Sequence, residues 1–345
     1  MRKFYLEVFI VNFFKRTGSR AVMTLLAVIF TCSLCIGGIP AFAEGAVPDT
    51  NTTNAVPVAK NLEYNTFKGV AITGKFEAVD PDGDPVAFKI LTLPKKGDVT
   101  PSDDGSFLYT PKDGKSGSDT FTYQAVDAKG GVSNEATVKI NIKKQGTKLT
   151  YADMQGNSAY YAALTLADDG VFTGQKLGDE YFFRPDEDVT RGEFLAMCMK
   201  LCQAPPLTGV TRTGFSDDSS IPQWLKPYVS AALMDGIITG YKDDTGRLVF
   251  SSQSPITYSE AAVLLNSILK VTDVVPASAM TSDDSSVVPA WASAAVTNLS
   301  ACDVLPVGVS YGDELTRADA ANLLLASSDL IQSRGGDTSL LGWAK

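Results

Sequence analysis

Two changes of hydrophobic period predict a multidomain chain: an all-β sandwich over residues 58–143, then an all-α domain of three repeats over 150–328. In the first stretch apolar residues alternate in short runs broken by Gly, Pro and Asp, the pattern of half-buried strands. From Leu149 onward the spacing becomes helical, and one short element returns three times. A length of 345 residues suits about two domains, and 44% apolar against 20% charged residues supplies material for real cores.

Composition removes several function classes. The chain has no histidine, so triads, general bases and metal sites that depend on imidazole are excluded. Lys plus Arg number 30 against 39 for Asp plus Glu, a net charge of −9, which argues against a basic nucleic-acid binder. Any polymer it grips is held by a few local cations.

The N-terminus reads as an address. Arg2, Lys3, Lys15, Arg16 and Arg20 precede Ala21–Ala43, a run without charge that ends in Ala41-Phe42-Ala43. A basic lead, an apolar core and an A-x-A site predict a secretory signal over 1–43. The same run is long enough to remain as an uncleaved anchor, which is the other reading. Cleavage takes Cys32 and Cys35 with it and leaves Cys198, Cys202 and Cys302, an odd set. Cys198 and Cys202, four apart on a helical pattern, suit buried apolar positions better than a disulfide. A polar linker rich in Thr, Asn, Ala and Pro follows over 44–57.

The strands expected next are 70–79, 86–90, 106–110, 120–124 and 136–142, with no helical window between them. Short strands at this spacing predict an antiparallel sandwich over 58–143. The motifs Asp80-Pro-Asp-Gly-Asp-Pro85, Gly105 to Pro111, Gly117 to Tyr123 and Asp127-Ala-Lys-Gly130, in that order, resemble the bacterial Ig-like, cadherin-like repeats of surface adhesins. That resemblance implies a spacer or adhesion module, in some members bound to Ca²⁺. Asp80, Asp82 and Asp84 offer carboxylates at alternate positions, the hard-oxygen spacing that Ca²⁺ favours. Pro85 and Leu91 stand where an EF-hand needs Gly and Glu, so this is no EF-hand. Asp119 and Asp127 complete a site only if the fold brings them close. Tight-turn chemistry explains the same Asp, Pro and Gly residues without a metal.

The helical part repeats itself. Val189-Thr-Arg-Gly-Glu193, Ile256-Thr-Tyr-Ser-Glu260 and Leu315-Thr-Arg-Ala-Asp319 are three copies of one element. Ahead of the second stand Phe215-Ser-Asp-Asp218, Trp224 and Asp235 to Gly240. Ahead of the first stand Tyr151-Ala-Asp153, Tyr160-Tyr161 and Asp169 to Gly174, and ahead of the third Ser282-Asp-Asp284 and Trp291, with Asp303 in place of the first glycine. Three units over 150–203, 213–270 and 281–328 that cannot each bury a core predict an all-α domain closed by packing repeat on repeat. These residues resemble S-layer homology repeats. The resemblance implies a pseudo-trimeric, three-pronged bundle that binds pyruvylated, peptidoglycan-linked secondary cell-wall polysaccharide in the grooves between prongs.

Thr followed three residues later by an acid is the capping-box signature of a helix start, so Thr190, Thr257 and Thr316 have a structural explanation as well as a ligand-binding one. Arg191 and Arg317 sit at the first helical position, beside the positive end of the helix dipole, where no folding argument asks for a cation. Free N–H groups at a helix start plus a guanidinium fork suit a carboxylate, and a pyruvate ketal presents one. Arg191 and Arg317 are therefore the leading ligand residues, with Thr190 and Thr316 beside them. Tyr258 replaces arginine in the second repeat: it can stack on a sugar but brings no charge. Gly174 and Gly240 close short turns that left-handed backbone alone can require. Trp224 and Trp291 are candidates to face sugar, although a residue opening a repeat's first helix is more often core.

No nucleophile–base pair, phosphate loop or Cys cluster survives inspection, so no enzyme is expected. The acidic pairs Asp217-Asp218, Asp243-Asp244 and Asp283-Asp284 read as solvated turns. The expected function is a secreted cell-surface protein, wall-anchored through its repeats, with no required cofactor, no nucleic-acid partner and no membrane span after cleavage. Other surface proteins are further candidate partners. Two alternatives stand beside it: a Ca²⁺-dependent adhesin acting through the β-domain, and a tether between an outer membrane and peptidoglycan. The tail over 331–345 has no reading.

Overall fold

The computed structural model describes residues 54–272, 288–306 and 308–335. The signal expected over 1–43, the linker up to 53, Ser282-Asp283-Asp284 and 336–345 lie outside the described residues.

The first domain is a two-sheet β-sandwich. Strands β1 (Val58–Ala59) and β4 (Ala78–Val79) form a small pair. Strands β2 (Leu62–Phe67), β9 (Ala136–Lys143), β8 (Gly117–Asp127) and β5 (Val86–Thr92) make a four-stranded sheet in that order. Strands β3 (Ile72–Lys75), β7 (Ser106–Pro111) and β6 (Gly97–Pro101) make the facing three-stranded sheet. Alternation explains the layers: Phe107 and Tyr109 from one sheet, and Phe121, Tyr123, Val138 and Ile140 from the other, are fully buried between them. Their rings lock edge to face, Phe107 on Phe121 at 5.3 Å and 85°, a contact worth about 0.5–1.5 kcal/mol beyond area burial.

The expected all-antiparallel pattern is corrected at one edge. Strand β2 pairs parallel with β9, Leu62 beside Val138 through Phe67 beside Lys143. The first and last strands of the domain are joined by the whole sandwich, not a hairpin, so nothing forces them to run oppositely.

The joint between the domains is packed. Phe67 and Val70 belong to the core of the helical part, and the Phe67 ring lies 5.1 Å from that of Tyr161. The Asp168 carboxylate accepts from the Gly146 and Thr147 N–H groups, both at 2.8 Å. The β-domain is thus seated on the helical domain by apolar contact and a clamped connection.

The second part holds α1 (Tyr160–Asp168), α2 (Arg191–Leu201), α3 (Lys226–Met234), α4 (Tyr258–Leu269), α5 (Ser293–Ser300) and α6 (Arg317–Ser333), two helices per unit. The all-α expectation is corrected. Hairpins β10 (Gln175–Leu177)/β11 (Glu180–Phe182) and β12 (Tyr241–Lys242)/β13 (Leu248–Val249) join the two helices of the first and second units. Strands of two or three residues carry too little alternation to be read from sequence. Helix α6 also runs to Ser333, into the segment expected as tail. Cys198 and Cys202 are buried as free thiols in the shared core, and burial pushes the Cys202 thiol up to about 12. Among the described residues no helix is long and apolar enough to cross a membrane.

Candidate functional site

The site is built on a frame that repeats from unit to unit. Each motif aromatic packs on the phenylalanine before the second helix: Tyr151 on Phe183 at 5.3 Å, Phe215 on Phe250 at 5.6 Å. Each motif aspartate accepts two backbone N–H groups there. Asp153 takes those of Phe183 (2.9 Å) and Arg184 (2.6 Å), and Asp217 those of Phe250 (3.1 Å) and Ser251 (2.8 Å). These bonds hold Arg184 and Ser251 at positive φ, 59° and 54°. Asp217 and Asp218 are therefore not a solvated pair, as expected from sequence. Asp218 accepts from Thr213 and ion-pairs with the buried Lys226 at 2.8 Å, and Lys226 and Thr213 hold its carboxyl down at about 2.

Gly174 and Gly240 are fixed by the same frame. Both have φ of 69°, and a Cβ would stand 2.5 Å from the Phe182 carbonyl oxygen at the first and 2.7 Å from that of Val249 at the second. Asp303, which replaces the first turn glycine in the third unit, keeps its left-handed geometry at φ 56°, a conformation Asp tolerates better than most residues.

The three second-helix starts close into a ring. The Val189 N–H donates to the Leu315 carbonyl (2.9 Å), Leu315 to Ile256 (2.8 Å) and Ile256 to Val189 (3.0 Å). All three capping boxes are complete: Thr190/Glu193, Thr257/Glu260 and Thr316/Asp319. The next N–H groups are taken by the neighbouring unit. Arg191 and Gly192 donate to Ser254 and Ser252, Tyr258 and Ser259 to Asp313 and Tyr311, and Arg317 and Ala318 to Glu187 and Pro185. This corrects the expectation of free helix-start donors. The threonines are consumed in their own capping boxes and the backbone in joining the units, which leaves the side chains at the first helical position.

Those three side chains meet different surroundings. Arg191 enters a groove of about 440 Å³ walled by the second unit and capped by Trp291 of the third. Its Nη2 donates to Glu260 Oε1 at 2.6 Å, and its guanidinium lies 5.5 Å from the Tyr241 ring. Its Nε is buried with no hydrogen-bond partner, an unmet donor of a kind native interiors rarely leave. Tyr241 is 45% exposed and Trp291 61% exposed, so two aromatic faces flank that donor. Trp291, and Trp224 at 55% exposed, are not core, contrary to the residue-pattern expectation. Trp224 has Ser158 as its counterpart in the first unit, two places before α1 as Trp224 precedes α3. Tyr161 is instead spent on the domain joint.

Arg317 takes the equivalent position between the third and first units, but its guanidinium carbon lies over the Phe172 ring at 4.8 Å and it pairs with Glu187 at 3.0 Å. The space there is about 10 Å³. Tyr258 points inward, 6% exposed; burial and the nearby Asp319 carboxylate push its pKa up.

The acidic turn of the β-domain is a separate candidate. Asp80, Asp82 and Asp84 place carboxylate oxygens within 4.8 Å of one another. Asp80 Oδ1 accepts from the Asp82 and Asp84 N–H groups, the turn bonding expected, yet its Oδ2 is buried without a partner. Asn54 Oδ1, which sequence reasoning missed because it lies in the linker, is a second such oxygen. Asn54 also donates to Asp127 (2.8 Å), and Lys129 pairs with Asp84 at 2.8 Å, so Asp127 belongs to this end. Asp119 does not: it accepts from the Tyr109 hydroxyl and from the Lys95 and Lys96 N–H groups. Buried carboxylate and amide oxygens without donors fit a hard cation such as Ca²⁺.

The model of the bacterial cadherin-like domain matches residues 54–144, and that of the S-layer homology domain matches 150–195 and 214–262. The chain carries a cadherin-like domain followed by S-layer homology domains. These domains mark it as a protein of the cell surface and cell wall. It is 28% identical over 134 residues to the exoglucanase XynX of Acetivibrio thermocellus, covering 38% of this chain and 12% of that one. It is 26% identical over 130 residues to a surface-layer 125 kDa protein of Lysinibacillus sphaericus, covering 37% and 10%. The chain thus spans about a tenth of the length of these relatives. An endo-fucoidan hydrolase from glycoside hydrolase family 107 is 21% identical over 28% of this chain and 14% of its own, with a TM-score of 0.22, too slight a likeness to bear on the fold. The S-layer homology frame accounts for the Tyr/Phe-x-Asp motif, the turn glycines and the capping boxes. It leaves Arg191 with a buried donor unspent beneath the exposed rings of Tyr241 and Trp291.

Proposed function

We propose that this protein is held non-covalently at the cell wall by pyruvylated secondary cell-wall polysaccharide lying in the groove at Arg191, and that its role is non-catalytic. The observation that carries this reading is the buried, unpartnered Nε of Arg191 beneath the exposed rings of Tyr241 and Trp291. A ketal carboxylate satisfies that donor, and sugar faces stack on the rings, while Glu260 fixes the guanidinium from behind. The cadherin-like domain acts as a spacer, and its packed joint at Phe67 and Tyr161 transmits the anchor's orientation. The test is a pull-down of the chain on purified cell walls before and after removal of the pyruvyl groups. Binding that is lost on depyruvylation and in Arg191→Ala supports the reading; equal binding to both walls overturns it.

A second reading concerns the β-domain and rests on the buried oxygens of Asn54 and Asp80 beside Asp84. They would take Ca²⁺ in place of the Lys129 counter-charge and stiffen the wall-distal end, as a Ca²⁺-dependent adhesin requires. Binding at one hundred times the dissociation constant stabilises by about 2.7 kcal/mol, so the melting temperature of the full chain should rise with Ca²⁺ and not in Asp80→Asn. A melting curve indifferent to millimolar Ca²⁺ removes this role.

A further inference from the structure

We infer that, of the three helix-start positions among the described residues, the helical domain takes its polysaccharide at Arg191 alone, with a stoichiometry of one carboxylate-bearing saccharide per chain. Phe172 closes the Arg317 position, and Tyr258 leaves the third without a cation. This deepens the proposed function and rests on it. The repeat frame makes the comparison direct. Counting from the turn glycines Gly174 and Gly240, Phe172 occupies the place of Ile238, and Gln175 that of Tyr241. From the capping threonines, Phe183, Val189 and Met197 match Phe250, Ile256 and Leu264, so the two walls are otherwise alike in kind.

The exchange of Ile238 for Phe172 fills the volume: about 440 Å³ remains at Arg191 and about 10 Å³ at Arg317. It also occupies the cation. The Arg317 guanidinium lies over the Phe172 ring at 4.8 Å, while Arg191 stands off Tyr241 at 5.5 Å with its Nε unmet. A carboxylate arriving at Arg317 would have to lift it from an aromatic face and from Glu187, with no cavity to receive the sugar. With Gln175 in place of Tyr241, it would also lack the ring that the second unit's hairpin supplies at that place. At the remaining position Tyr258 brings no charge, and its side chain is buried, 6% exposed. Anchoring by this chain therefore lacks the multivalent gain that three grooves would give, and its strength is that of a single site.

The experiment is isothermal titration of the full chain with a monovalent pyruvate-ketal glycoside. Variants Arg191→Ala, Ile238→Phe and Arg317→Ala are titrated in parallel, each checked for an unchanged melting curve. The inference expects one site per chain, loss of binding by tenfold or more in Arg191→Ala and Ile238→Phe, and a change within twofold in Arg317→Ala. Two or three sites, or a site lost in Arg317→Ala, overturn the single-groove inference and leave the wall-binding reading standing. No binding by the unaltered chain overturns both. Should Arg191→Ala not fold, the site count of the unaltered chain and the Ile238→Phe titration still decide the matter.

Discussion

The first and second repeat units use one frame to opposite ends. Both seat an aromatic on a phenylalanine, both tie the chain before the second helix with a half-buried aspartate, and both turn at a glycine with φ of 69°. In the second unit the wall so formed is left open around Arg191. In the first, Phe172 closes it and becomes the bed of Arg317. The frame is thus a matter of folding, and recognition lies in the few side chains laid upon it. Repetition of a motif does not imply repetition of a site.

The largest effects should fall on the frame and be equal in both units. Gly174→Ala and Gly240→Ala each add left-handed strain of about 1–2 kcal/mol and press a methyl on a strand carbonyl, overpacking worth about 1–3 kcal/mol more. Chemical denaturation should therefore show losses of about 2–5 kcal/mol for both; a loss at one alone would break the equivalence. Next comes the asymmetry in binding. A hydrogen bond to a charged group contributes about 1.5–3 kcal/mol, so Arg191→Ala should weaken wall retention by roughly 10- to 150-fold, measured by co-sedimentation with purified walls, and Arg317→Ala far less. Thr190→Ala and Thr257→Ala should each cost about 1 kcal/mol as lost caps, again alike in denaturation.

The smallest effect separates the units by pH. After the motif aspartate the first unit has the buried Met154, whereas the second has Asp218 paired with Lys226. The Asp218 carboxyl is held at about 2, below its ordinary 3.8. A folded-state value that is depressed gives stability present above the ordinary value and lost as pH falls through it toward 2. The protection of the Thr213 amide against exchange, relative to its intrinsic rate, should fall between pH 4 and about 2 as its bond to Asp218 is lost, with no such change around Met154. An equal response at both would show that the ion pair is not what holds this turn.

The parts legible in the sequence were those with enough residues to carry a period or a box. Strands β5, β7, β8 and β9 follow from alternation, and the three helix starts from Thr and its acid three residues on. Strand β6 was missed because Gly97, Asp98 and Pro101 look like turn chemistry, although their partners in β7 make them a strand. The parallel pairing of β2 with β9 depends on chain ends far apart in sequence. At the site, Arg191 and Arg317 were equally plausible by motif. What distinguishes them, Phe172 against Ile238, lies in another unit and reads as the same apolar position in both. The partners of the helix-start N–H groups are likewise hidden, because each unit draws them from its neighbour.

The central claim is that wall polysaccharide lies in the Arg191 groove against Trp291. It is tested most directly by following the tryptophan indole N–H signals of the chain by NMR during titration with a pyruvate-ketal glycoside, with Trp224→Phe and Trp291→Phe used for assignment. The account predicts that the Trp291 signal shifts and saturates at one equivalent while that of Trp224 stays in place. A shift at Trp224, or a bound ligand that leaves Trp291 unmoved, would contradict it.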